Sequence, residues 1–196
     1  MKLLLATHNE HKRREFARIL AAEAILPVEL DALPDSVVLP PEDGDTFAAN
    51  ALGKARAAAA ATGRVSIADD SGIAAEALGG APGVRSARYA GERASDEQNL
   101  QKLIDEAPVG SGLEYVCVIA YVDPAQNHEQ LFEGRCAGRM AAQRSGDGGF
   151  GYDPVFRPLE IDGGAGRTMA ELSDAEKDAI SHRGRAARAL LSWLES

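Results

Sequence analysis

The sequence predicts a single α/β domain. Three observations carry that expectation: apolar runs alternate with helix-forming stretches early in the chain, one later segment is rich in β-branched and aromatic residues, and capping residues or glycines punctuate the helical stretches. The length of 196 residues, with 45% hydrophobic and 26% charged, fits one ordinary globular domain and excludes disorder and collagen-like order. A chain of this size buries roughly 70% of its unfolded surface, enough for a core without disulfide staples.

The elements follow in order. Residues 2–6 (KLLLA) form a short apolar run, and 12–22 place Phe16, Ile19 and Leu20 at helical spacing, so the opening reads strand, loop, helix. From Gly44 the segment DTFAANALGKARAAAAATG is almost continuous in helix formers and stops at Gly63, a helix-ending glycine. Val65 to Ala68 reads as a strand, and Asp96 to Ala107 as a surface helix with Leu100, Leu103 and Ile104 on one face. Leu113 to Val122 is the strongest strand signal, with Gln130 to Glu133 expected to pair with it. Ser173-Asp-Ala-Glu176 is a capping box that opens a helical stretch reaching Trp193, with a break expected at Gly184. Two glycine-rich segments, 79–91 and 145–166, are long loops of the kind that carry function. With no repeat or low-complexity linker, residues 1–196 read as one domain.

Cys117 and Cys136 stand in apolar segments without metal-binding spacing and read as buried thiols of a reducing compartment, the cytoplasm. The N-terminal apolar run is too short for a signal sequence or a membrane span, and no membrane segment is expected elsewhere. A net charge of −9 opposes binding of polymeric nucleic acid, which wants clustered base, but still permits a small anion held by a few converging cations.

Four segments could carry chemistry. Thr7-His8-Asn9-Glu10-His11-Lys12 lies where a strand meets a helix, so free backbone N–H groups, the helix dipole and Lys12 favour a phosphate; the alternative is a helix cap followed by a solvated face. Adjacent Asp69 and Asp70 end an apolar strand, where a carboxylate can help hold Mg²⁺ or activate water; the alternative is an Asp-Ser-Gly turn with both acids wet. Side chains alternate along a strand, so one acid faces any given site. Gly146 to Gly151 satisfies GxGxxG, yet Tyr152-Asp153-Pro154 follows in place of a helix, which excludes a dinucleotide fingerprint. That loop delivers Phe150 and Tyr152, rings that can stack on a base or pack in the core. Lys177, His182 and Arg183 form a group of donors only if the helix breaks near Ser181; otherwise they are a structural histidine and solvated cations.

Together ATHNEHKRREF (6–16), TFAANALGKARAAA (46–59), ADDSGIAAEALGGAPGVRSARYAG (68–91), GDGGFGYDPVF (146–156) and MAELSDAEKDAISHRGRA (169–186) resemble the inosine triphosphate pyrophosphatase family. The resemblance covers nearly the whole chain, with the five blocks in the family's order. It implies an elongated α/β domain with a long mixed sheet flanked by helices, two lobes around a central cleft, and a homodimer. It further implies hydrolysis of non-canonical purine nucleoside triphosphates (ITP, dITP, XTP) to monophosphate and pyrophosphate, with Mg²⁺ as cofactor.

By the same resemblance, residues 7–12 and Lys54 bind the triphosphate. Asp70 is the metal-linked general base, with Ser71 on the substrate and Glu42 as the second metal-side carboxylate. Phe150, Gly151, Tyr152 and Asp153 border the base, and Lys177, His182 and Arg183 read its six-position oxygen. Asp69 is expected to face away from the site. The chain departs from the family's pattern at His8 and His11, where glycine is common, and at Ala48-Ala49, where acids are common. A Maf-like pyrophosphatase is the nearest rival enzyme, opposed by the Ser181-His182-Arg183-Gly184 segment; a catalytically silent nucleotide-binding protein is the rival from another class.

Overall fold

The computed structural model describes residues 1–25 and 27–196. Six strands form one mixed sheet in the order β2-β1-β3-β4-β5-β6: β1 (Lys2–Leu5), β2 (Glu29–Ala32), β3 (Ser66–Ala75), β4 (Gly112–Asp123), β5 (His128–Met140) and β6 (Phe156–Pro158). β1 runs parallel to both β2 and β3, while β5 and β6 are antiparallel. Among the described residues the α-helices are α1 (Glu10–Glu23), α2 (Phe47–Thr62), α3 (Asp96–Glu106), α4 (Asp174–Ile180) and α5 (His182–Leu194).

The chain divides into two compact units. The first comprises Met1–Asp70, Cys117–Gly134 and Arg183–Ser196; the second comprises Ser71–Val116 and Arg135–His182.

In the first unit, alternation along β1 supplies two cores. Leu3 and Leu5 pack with Phe16 and Ile19 of α1, Ile67 of β3 and Ala186, Ala187 and Leu190 of α5. Leu4 and Ala6 pack with Ala51, Ala55, Ala58 and Ala59 of α2 and with Ala68 of β3. A helix face built of alanines lets α2 lie close to the sheet, and Gly63 ends it in the left-handed conformation at φ 66°. In the second unit Ile73, Tyr115, Cys136, Phe156 and Met169 share one core with Leu100 and Leu103 of α3. Both cysteines are buried, as their apolar setting predicts.

The structure departs from the sequence reading in four places. β3 does not stop at Ala68 but continues through Asp69, Asp70, Ser71 and Gly72 to Ala75, so the wet-turn alternative for the two acids falls. β5 is much longer than the expected 130–133, and two short strands, β2 and β6, carry too few residues to show a period. The C-terminal helical stretch breaks at Ser181, which is extended at ψ 154°, and Gly184 lies inside α5. No helix among the described residues is long and apolar enough to cross a membrane.

Candidate active site

The first unit gathers the residues expected to meet phosphate. Beyond β1, Thr7 Oγ1 accepts from the Asn9 N–H at 3.2 Å, and Asn9 Oδ1 accepts from the Lys12 N–H at 3.1 Å. Asn9 is thus the N-cap of α1, so the cap alternative is realised in the geometry. His8, Glu10 and His11 are exposed beside it, Glu10 pairing with Arg13. Lys12 is no solvated cation: its Nζ lies 3.0 Å from Asp69 Oδ2 and its side chain is only 13% exposed.

Alternation separates the two acids of β3. Ile67 belongs to the α1/α5 core and Ala68 to the α2 core, so Asp69 points toward α1 and α5 and Asp70 toward α2. Asp69 is fully buried and is met on Oδ2 by Lys12, by Arg183 Nη2 at 3.1 Å and by the Cys117 thiol at 3.9 Å. Arg183 also donates to Glu15 of α1. Burial alone would raise the Asp69 carboxyl, but Lys12, then Arg183 and Lys54, hold it well below the usual carboxylate range. The same neighbours contribute to the Cys117 thiol, which burial first and Asp69 second push up to about 12. Asp69 is therefore the anion that holds Lys12, on the face of β3 opposite to that of Asp70.

Asp70 has different company. Its Oδ2 accepts from Asn50 Nδ2 at 2.8 Å, and Asn50 Oδ1 in turn accepts from the Gly44 N–H at 2.8 Å. Burial, reinforced by the charge of Glu42, raises the Asp70 carboxyl above its ordinary value despite Lys54. Lys54 follows Asn50 by one helical turn on α2, so both meet β3; Lys54 Nζ donates to Glu42 and, at 2.5 Å, to the Asp69 carbonyl. Burial opposes its charge, but Asp69, Glu42 and Asp70 together raise its proton affinity. Among the described residues no three His, Cys, Asp or Glu side chains lie together as a metal-binding group.

The second unit holds the residues expected at the base, except Arg183, which belongs to the first. Ser71 is half-buried on β3. In the 146–153 loop, Asp153 is 3% exposed, its Oδ2 accepting from Lys177 Nζ at 2.7 Å and from the Phe150 N–H at 3.0 Å, its Oδ1 from the Tyr115 hydroxyl at 3.0 Å. Gly149 is required there: its φ is +70°, and a Cβ would fall 2.0 Å from Asp153 Oδ2. Gly151, next to Phe150, takes the left-handed conformation at φ 61°. Phe150 is half-buried with Lys177 Nζ 5.2 Å from its ring centre, whereas the Tyr152 ring lies in the core and its hydroxyl donates to the Ser86 carbonyl at 2.7 Å. His182 stacks on Tyr115, centroids 4.6 Å apart and planes 9° from parallel.

Thus the structure brings Phe150, Asp153 and Lys177 into one group, and commits the Arg183 side chain to Glu15 and Asp69 within the first unit. Sequence reasoning missed Glu15, Asn50 and Tyr115 as polar partners. Asn50 was within reach, since it shares a helical face with Lys54; the other two come together with their partners only through distant chain segments.

The sequence profile of the Ham1 family matches residues 3–193. A dITP/XTP pyrophosphatase of Corynebacterium glutamicum (strain R) is 47% identical, covering 97% of this chain and 95% of its own. One of Frankia alni is 48% identical, covering 99% and 97%. The solved structure of a HAM1 protein from Coxiella burnetii superimposes with a TM-score of 0.85 at 37% identity, covering 100% of this chain and 98% of that one. With the profile matched almost end to end and relatives nearly half identical over the same span, this chain belongs to the Ham1 family.

Proposed function

We propose that this chain, acting as one functional domain of residues 1–196, hydrolyses non-canonical purine nucleoside triphosphates such as ITP, dITP and XTP to the monophosphate and pyrophosphate. The observation that carries the reading is the division of labour between the neighbouring carboxylates of β3. Asp69 is answered by Lys12 and Arg183, while Asp70 is aimed by the neutral Asn50 amide beside a second carboxylate, Glu42. The names of the Corynebacterium and Frankia relatives support the substrate class.

In this reading the start of α1 and Lys12 attract the triphosphate, and Lys12 and Lys54 stabilise charge that develops as the bond between the α- and β-phosphates breaks. Asp70 orients the attacking water and takes its proton. Asp70 and Glu42 suit a Mg²⁺ ion, because a metal of this kind is held by one or two carboxylates and completes its shell with phosphates and water. Mg²⁺ bound there would neutralise phosphate charge. On the base side, Phe150 offers a ring face, Gly151 and Asp153 shape the loop around it, and Lys177 and His182 offer donors to a six-position oxygen. Adenine presents an amino group at that position, and two donors facing each other leave both unsatisfied, so ATP is rejected. Tyr152 serves this loop from the core, Arg183 acts through Asp69, and Ser71 binds the substrate. The working form in this reading is a cytoplasmic homodimer.

The test is a panel of ITP, XTP, ATP and GTP with pyrophosphate detection, with and without Mg²⁺. Strong preference for ITP and XTP over ATP, abolished by chelation, is expected; comparable kcat/KM for ITP and ATP overturns the reading.

A further inference from the structure

Tyr115 occupies a position that the proposed chemistry does not use. It lies on β4 at 6% exposure, touching the two segments that carry the expected base-side residues. Its hydroxyl donates to Asp153 Oδ1 at 3.0 Å, and the other oxygen of that carboxylate takes Lys177 at 2.7 Å and the Phe150 N–H at 3.0 Å. Its ring lies nearly parallel to His182 at 4.6 Å and is backed by Phe156 at 4.5 Å. A buried carboxylate can rotate about its last bond, which would redirect Lys177 and the loop backbone together; a third donor on Oδ1 stops that rotation. A stacked imidazole keeps its ring plane, and therefore the directions in which its two nitrogens point.

We propose that Tyr115 is the positioning residue of purine recognition: its hydroxyl orients Asp153, and through it Lys177 and Phe150, while its ring fixes the plane of His182. The inference rests on the reading of Lys177 and His182 as the groups that meet the six-position oxygen. Tyr115 acts through Asp153 and His182, which it contacts directly, so its contribution falls on binding and selectivity and spares the hydrolytic step.

Two variants separate the halves of this role. Tyr115→Phe keeps the stack and loses the hydroxyl, so KM for ITP rises about tenfold, on the scale of one bond to a charged group, while kcat barely moves. Tyr115→Leu loses both contacts, so the ITP-to-ATP ratio of kcat/KM falls further, with ATP turnover little altered and the Tyr115→Phe variant retaining the part that depends on His182. Steady-state kinetics with both triphosphates, alongside a thermal melt of each variant, read these effects. A selective wild type whose folded variants keep its ratio and its KM reduces Tyr115 to a packing residue and overturns the inference alone. A wild type without preference for ITP overturns the reading of the site and the inference with it. Should Tyr115→Leu fail to fold, the KM and kcat of Tyr115→Phe decide.

Discussion

Asp69 in the first unit and Asp153 in the second are both buried carboxylates that hold a lysine expected to meet substrate, yet they are satisfied in different ways. Asp69 is answered on one oxygen by two full charges, Lys12 from α1 and Arg183 from α5, and Arg183 carries a further carboxylate, Glu15, behind it. Asp153 is answered by one full charge, Lys177, and by two neutral donors, the Tyr115 hydroxyl and the Phe150 N–H. In the first arrangement charge balance itself keeps the group together, so removing one member leaves buried charge uncompensated. In the second, neutral bonds set the direction of the carboxylate, which suits a loop that must present groups at fixed angles. The cations also differ in kind: an arginine cannot shed its proton to escape burial, whereas a lysine can.

The largest effect sharpens the contrast by setting Asp70 beside Asp69. Asp70→Asn keeps a side chain that Asn50 can still bond, so the protein folds normally but loses about 10²- to 10⁴-fold in turnover, the usual contribution of a positioned base. Kinetics with ITP and a thermal melt on the same preparation check this; near-normal turnover removes Asp70 from the chemistry. Asp69→Asn is expected to act chiefly on stability instead.

The comparison breaks if Asp69→Asn and Asp153→Asn prove equally costly. Loss of the Asp69 charge leaves Lys12 and Arg183 without their shared anion and costs about 3–5 kcal/mol in urea denaturation. Asp153→Asn costs less, about 1.5–3 kcal/mol, because an amide oxygen still accepts a hydrogen bond.

The smallest expected effect lies in how each lysine is mounted. Lys12 stands near the start of a 14-residue helix, whereas Lys177 belongs to the seven-residue α4, which begins in a reciprocal capping box between Ser173 and Glu176. Ser173→Ala removes the side-chain acceptor for the Glu176 N–H and costs about 1 kcal/mol, with a modest rise in KM for ITP. An unchanged melting temperature and KM would mean that packing alone places α4.

Much of this architecture was readable along the chain because its signals act within a few residues. The Asn9 and Ser173 caps, the Gly63 stop, the alanine face of α2 and the β-branched run of β4 each appear within a short window. The same locality showed that the glycines of 146–151 do not open a dinucleotide-binding helix, since Pro154 stands too close behind. Five ordered blocks of family resemblance then marked the segments from which a site would be built.

Which polar groups meet could not be read in that way. Glu15 and Arg183 are 168 residues apart, Asp69 and Arg183 are 114 apart, and Tyr115 and Asp153 are 38 apart. A charged residue in a helix reads as solvent-facing from its own neighbourhood, because burial of a charge is stable only when an opposite charge or enough hydrogen bonds arrive from elsewhere. Period-two alternation correctly placed Asp69 and Asp70 on opposite faces of β3, but it said nothing about what covers each face. Packing decided that α1 and α5 would bring cations to Asp69 and that α2 would bring an amide to Asp70, because the low dielectric of each core tolerates its carboxylate only in the company it was given.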